Sequence, residues 1–258
     1  MTPRFTIGRW AVALHVVAAA ASAVAQPPGN QPERPRSARE AAPLDLTGQW
    51  VAIVNEDWRW RMVTPPKGDY TSVQPLNAEG REVADTWEQA QDGSCRAYGA
   101  AGLLRMPTRL RIEWDGNDRL VLETDAGMQT RKLEFGAVSE PATPSLQGVS
   151  RARWQLPLPP VGPLGPPPPT PPAKGGSLEV VTTGLAPGWL RRNGVPYSER
   201  TRLTEHFDRF PVPGGAEWLV VTTIVEDPQY LNGRFITSSH FRRETDRSKW
   251  NPTPCKPL

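Results

Sequence analysis

The side chains of this chain best suited to moving protons are His206, His240, Asp57 and Glu226. Imidazole titrates near neutral pH, and a carboxylate beside it makes an acid–base pair able to serve a lyase, an isomerase or a hydrolase. Glu226 stands in Glu226-Asp227-Pro228 at the end of an apolar run. Neighbouring carboxylates on a strand face opposite ways, so only one of them can enter a site. The plainer reading is a turn, because Asp before Pro initiates one. For each histidine the plainer reading is a packed or solvated strand residue. No His-x-His or His-x-x-x-His spacing is present, so no metal site is expected. Gly-x-Ser-x-Gly, Gly-x-Gly-x-x-Gly, P-loop and zinc spacings are also missing. Nucleotide use, the serine-hydrolase elbow and zinc catalysis are disfavoured, and no cofactor is expected.

A second group of residues points to binding. The chain has 10 tryptophans. Most are expected in a core, since aromatic side chains dominate burial. Trp58 and Trp60 differ: they share one face of a strand, with Asp57, Arg59 and Arg61 on the other. That pattern suits the mouth of a cavity, joined from the last hairpin by Glu226, Tyr230 and His240. The bland alternative is a salt-bridged rim. The function expected first is an exported protein holding an apolar or aromatic small molecule in a Trp-lined barrel. The alternative is a cofactor-independent enzyme using His240 or His206 with Glu226 or Asp57 in the same cavity.

The elements that must position these residues follow a leader. Residues 1–25 carry Arg4 and Arg9, an apolar run over 10–21 and the small exit Ala23-Val24-Ala25, in the order of a secretory signal peptide. The apolar run falls short of the ~20 residues of a spanning helix, so a retained anchor is the weaker reading. The mature chain is expected to start near Gln26, in the periplasm or outside the cell, with no membrane span after processing. Residues 26–43 are Pro-rich and poor in large apolar side chains, which predicts a disordered tether. The formal net charge is +3, and losing Arg4 and Arg9 brings it close to neutral. No basic stripe interleaved with aromatics is present, so nucleic acid is not an expected partner. Cys95 and Cys255 are the 2 cysteines. In an oxidising compartment they are expected to form a disulfide tying the C-terminal tail to mid-chain.

Residues 44–258 read as one mainly β domain. Strands are predicted at 46–54 (running on toward 62), 108–114, 119–124, 128–135, 149–156, 177–183, 200–210, 217–225 and 234–243. Their alternation is punctuated by Asp-Gly and Ala-Gly turns. Asn77 caps a predicted helix over 78–90 with Val83, Trp87 and Ala90 on its apolar face, and a second short helix is predicted over 98–106. Residues 157–174 are Pro-rich and must form an exposed loop. There is no βαβ alternation. Closure removes exposed sheet edges, so an antiparallel meander closing into a barrel of 8–9 strands is the first expectation and a β-sandwich the second. A monomer is expected.

Gly48-Gln49-Trp50, after Asp45-Leu46-Thr47, resembles the opening signature of the lipocalin and calycin barrels. The resemblance implies that Trp50 closes one barrel end and that Arg242 or Arg243, from the last strand, packs over it. Glu205-His-Phe-Asp-Arg209, followed by the segment 221–230 with its Glu-Asp-Pro-x-Tyr, is similar to a pattern in exported bacterial proteins of unknown function. That likeness implies an exported β fold and no particular activity.

Overall fold

The computed structural model describes residues 1, 35–54, 64–70, 75–88, 95–139, 143–157 and 175–255. The compact unit Arg36–Leu258 carries all the elements that follow. The strands are β1 (Gly48–Ala52), β2 (Arg109–Trp114), β3 (Arg119–Thr124), β4 (Ala126–Gly127), β5 (Thr130–Phe135), β6 (Val149–Gln155), β7 (Ser177–Thr183), β8 (Gly188–Trp189), β9 (Pro196–Tyr197), β10 (Arg202–Pro211), β11 (Glu217–Glu226), β12 (Phe235–Glu244) and β13 (Thr253–Pro254). Nine of them close a barrel in the order β1-β12-β11-β10-β7-β6-β5-β3-β2. β1 pairs with both β12 and β2, so closure replaces the sandwich alternative. Alternation of β-branched and polar residues builds each strand, and every second side chain turns inward.

The meander is broken once. β5 and β6 run parallel, with Leu133 opposite Ser150 and Phe135 opposite Ala152. A parallel pair cannot be joined by a tight turn, and the crossover occupies the segment between Phe135 and Val149. The expected turn at Asp125-Ala-Gly127 is also more than a turn. Its last two residues form β4, on which β13 lies in parallel. The Pro-rich segment falls, from residue 158 to 174, outside the described residues.

The helix Ala78–Thr86 starts where predicted, with Asn77 Oδ1 accepting from the Gly80 amide at 2.8 Å. It ends at Thr86, and its deepest residues are Gly80 and Ala84, with Val83 and Trp87 alongside. Gly80 sits against the Tyr230 carbonyl, where a Cβ would come within 2.5 Å. The second helical segment is divided into a 3₁₀ turn, Arg96–Tyr98, and a short helix, Ala100–Leu103.

Part of the predicted tether is docked. Ser37 and Glu40 cap each other: the Ser37 amide donates to Glu40 Oε2 at 2.9 Å and the Glu40 amide to Ser37 Oγ at 3.3 Å. The turn they hold covers one barrel end. There Trp154 Nε1 donates to the Ala38 carbonyl at 2.8 Å, and the Ala38 amide donates to Asp118 Oδ1 at 2.7 Å. Beneath it Trp114, Phe135 and Trp154 pack together with ring centroids 5.4–6.4 Å apart.

Side chains pack the lumen in two apolar clusters. Trp50, Leu110, Ile112, Leu122, Phe207 and Phe241 lead one apolar cluster. Tyr197, Leu203, Val225, Leu231 and Phe235 lead a second, beneath the helical cap. Trp50 is fully buried and its Nε1 donates to the Leu46 carbonyl at 3.0 Å. The Arg243 guanidinium lies 4.3 Å from the Trp50 ring centroid and donates to the Thr47 carbonyl at 2.7 Å. Gly48 makes this possible: its φ is +122°, and a Cβ there would stand 2.5 Å from the guanidinium.

Candidate functional site

Strand parity decides the fate of the histidines. On β10, Leu203, Glu205 and Phe207 are buried and His206 faces outward between them. On β12, Ser239 and Phe241 are buried and His240 faces outward, its ring 6.3 Å from Trp218. Glu226 also points outward and pairs with Arg234 at 2.8 Å. His240 lies opposite Val220. From Val220 to Glu226 the strand runs about 20 Å, at roughly 3.3 Å per residue. His206 lies opposite Thr222 and Glu179 on the outer surface. Among the described residues, then, Glu226 meets neither His206 nor His240 inside the barrel, and the alternative pairing of a histidine with Asp57 is not described. Asp57, Trp58, Arg59, Trp60 and Arg61 lie outside the described residues.

Asp227 turns inward and serves as a clamp. Its carboxylate accepts from the Ser198 amide at 2.5 Å, Ser198 Oγ at 3.0 Å, Thr201 Oγ1 at 2.9 Å and the Gln229 amide at 2.8 Å. This is the turn reading of Glu226-Asp227-Pro228. Tyr230 belongs to the same turn, and its amide donates to Asp227 Oδ1 at 3.2 Å. Burial first, then the nearby Glu79 and Asp227 carboxylates, raises the Tyr230 phenol above its ordinary pKa. Among the described residues, no group of three or more His, Cys, Asp and Glu side chains is arranged to hold a metal ion. Among them, too, no helix is long and apolar enough to cross a membrane.

The cavity best furnished for a small molecule lies on the cap, outside the lumen. It measures about 380 Å³. One wall comes from the 3₁₀ turn and the short helix after it, with Ala97, Tyr98, Gly102, Arg105 and Met106. The other comes from β8 and the turn after it, with Trp189, Leu190, Arg191 and Arg192; Ala126 of β4 contributes a third side. Four devices hold these walls. Arg105 spans them, donating to the Leu190 carbonyl at 3.3 Å while its guanidinium lies 4.9 Å from the Phe235 ring centroid. Trp189 meets Trp87 edge to face at 6.2 Å, with the Arg96 guanidinium 6.0 Å from the Trp189 ring. Tyr197, fully buried, presses its phenol against Gly99 and Gly188, which leaves no room for a side chain at either. Burial raises the Tyr197 phenol well above its ordinary range.

The fourth device is the Cys95–Cys255 disulfide, with Cα atoms 5.7 Å apart. The expected bond is present, and its position gives it a local task. Cys95 immediately precedes the 3₁₀ turn bearing Ala97 and Tyr98, and Cys255 follows β13, which lies on β4. Both cysteines pack against the Trp87, Tyr98 and Trp189 cluster. The bond thus ties two cavity walls together.

The described lining of the cavity is basic in composition. Arg105, Arg191 and Arg192 line it, and no Asp or Glu stands among its described lining residues. Arg191 is buried, and desolvation lowers its pKa from the ordinary guanidinium value. Such a site can hold a flat ring against Tyr98 and Trp189 and draw an anionic group toward the guanidinium groups. The residues missed from sequence are Tyr98, Arg105, Arg191 and Arg192, and Trp189 was one of the tryptophans expected for the most part in a core. The only local signal was the juxtaposition of aromatic and basic residues in Trp189-Leu-Arg-Arg192.

No family model matches the chain. Over 88 residues it is 35% identical to pleckstrin homology domain-containing family G member 5 of Mus musculus. The match spans 34% of this chain and 8% of that protein, so the chain covers a small fraction of its relative's length. No solved structure matches.

Proposed function

We propose that this chain is an exported, monomeric binding protein for a small aromatic molecule carrying negative charge, and that the molecule sits in the cap cavity. One observation carries the reading: Tyr98 and Trp189 share a single cavity with three arginines. Ring faces suit a flat apolar ligand, and the guanidinium fork suits a carboxylate, sulfonate or phosphate. At about 380 Å³ the cavity is near the small end of ligand sites, which favours a one- or two-ring molecule. Export rests on the charge, apolar run and small-residue exit of residues 1–25. The stack of Arg243 on Trp50 beneath Gly48 supports a lipocalin-like lineage for the barrel. The ligand, however, is assigned outside the lumen, because the lumen is occupied by side chains.

Titration calorimetry with 1-naphthoate and its neutral counterpart 1-naphthamide tests the reading. The naphthoate should bind saturably, one per chain, and at least about tenfold more tightly, the ratio of one added charge-assisted hydrogen bond. Arg192→Ala should remove most of that preference, and Arg234→Ala, on the outer wall, should leave it intact. Binding of neither compound, or a preference indifferent to Arg192→Ala, counts against the proposal.

A further inference from the structure

A polar belt crosses the inside of the barrel between its two apolar clusters. On β10 it is Glu205, on β11 Thr223 opposite it, and on β12 Thr237 opposite Thr223. Ser239 is the next inward residue of β12, before Phe241 begins the apolar end. Arg131 reaches in from β5 and donates to Glu205 Oε1 at 2.9 Å and Oε2 at 2.5 Å. It also donates to Thr182 Oγ1 at 3.2 Å and Ser150 Oγ at 3.4 Å. Both members of the ion pair have fully buried side chains.

The belt is incompletely satisfied. Arg131 Nε, Thr223 Oγ1, Thr237 Oγ1 and Ser239 Oγ are all buried, and among the described residues none has a hydrogen-bond partner. One such atom is an isolated penalty. Four of them on one belt share a remedy, because buried polar groups that lack protein partners are commonly bridged by enclosed water. The chemistry of the four fits that guest. Nε–H can only donate, whereas each hydroxyl both donates and accepts. A water can therefore accept from Arg131 and exchange hydrogen bonds with two or three hydroxyls, within the two to four that buried waters make. An anion is poorly served here, since the Glu205 carboxylate lies in the same belt. An apolar guest leaves all four atoms unsatisfied.

We propose that the waist of the barrel is a closed hydration site, in which ordered water bridges Arg131 Nε to the hydroxyls of Thr223, Thr237 and Ser239. The site is independent of the cap cavity. It gives the lumen a resident that is neither an apolar ligand nor a substrate.

The sign of a stability change tests it, because each inner hydroxyl has a near-isosteric apolar replacement. With the disulfide intact, Thr223→Val and Ser239→Ala should each lower Tm by about 3 °C, as expected for losing a hydrogen bond to bound water in a domain of this size. Thr222→Val, outward on the same strand, should leave Tm unchanged. If the hydroxyls are dry, removing them relieves a desolvation penalty, and an unchanged or raised Tm for the inner variants overturns the proposal. A high-resolution crystal structure of the same chain, soaked in bromide, gives the direct readout. Density bridging Arg131 Nε and at least two hydroxyls supports it. An empty waist, or an anomalous bromide peak there, overturns it.

Discussion

Replacing Glu205 by alanine leaves the Arg131 guanidinium inside the barrel with, among the described side chains, the Ser150 and Thr182 hydroxyls for partners. The magnitude follows from the geometry. The pair is bidentate and completely shielded from water, at 0% exposure on each side chain. Breaking a buried pair by removing one partner costs about 3–5 kcal/mol, because the other charge stays desolvated. Against a total stability of about 5–15 kcal/mol that is a large share. At about 2–4 °C per kcal/mol for a domain of this size, Tm should fall by about 6–20 °C. Arg131→Met alone should cost a similar amount. The double variant Arg131→Met/Glu205→Leu removes both charges and restores packing volume, so it should regain most of the loss, to within about 2 kcal/mol of the parent. Urea unfolding with the disulfide intact measures all four corners of the cycle. The outer pair Arg234–Glu226, with side chains 66% and 37% exposed, is the control, and Arg234→Ala should cost no more than about 1 kcal/mol. The reasoning is falsified if Glu205→Ala costs as little as Arg234→Ala, or if the double variant is worse than either single one.

Three further outcomes are expected. Gly48→Ala should destabilise by about 1–3 kcal/mol and shift Trp50 emission, because φ is +122° there and a Cβ would push the Arg243 guanidinium off the indole; thermal unfolding followed by fluorescence checks both. Cys95→Ser/Cys255→Ser opens a loop with a sequence separation of 160 and should cost about 5 kcal/mol in the chain-entropy model. Limited proteolysis should then cut first in the tail around β13, and an uncut tail would contradict the tether role. Glu179 is held below the ordinary carboxylate pKa, chiefly by the hydrogen bond from Arg153 Nε, with the charges of Arg153, His206 and Arg202 in the same sense. Because the folded value is depressed, its stabilisation is present above the unfolded carboxylate range and is lost as pH falls through the lowered value. In NMR titrations Arg153→Gln should move the Glu179 midpoint upward, and an unmoved midpoint would refute the assignment.

The strands were legible because alternation is a local signal. β3 and β7 run over the predicted residues, the Asn77 cap also follows from the sequence, and the covering of Trp50 by an arginine of β12 is what the lipocalin resemblance implies. The parallel pairing of β5 with β6 was not legible, since pairing direction is a non-local property. The facing of the histidines depended on parity, where one residue decides. That parity was in fact written in the neighbours. Glu205 falls between Leu203 and Phe207, and Arg131 is in phase with Leu133 and Phe135, so a charge at the inward beat of an apolar alternation was the mark of the buried pair. Ser37-x-x-Glu40 similarly marked a capped turn within a segment whose proline content reads as disorder. The cap cavity left almost no trace, because its walls come from short turns far apart in sequence, gathered by a disulfide and a strand of two residues.

β1 finds one of its neighbours in β2 and the other in β12, where Gln49 pairs with Glu244, 195 residues later. In a chain made from its N-terminus, β1 therefore emerges long before its partner β12. Until then Trp50 has no Arg243 above it, and both β1 and β12 carry an open edge. Such long-range closure is slow, since the loop entropy is spent before the contacts form. If the chain is exported unfolded, as proposed above, that delay would keep it translocatable until β12 seals the barrel against β1.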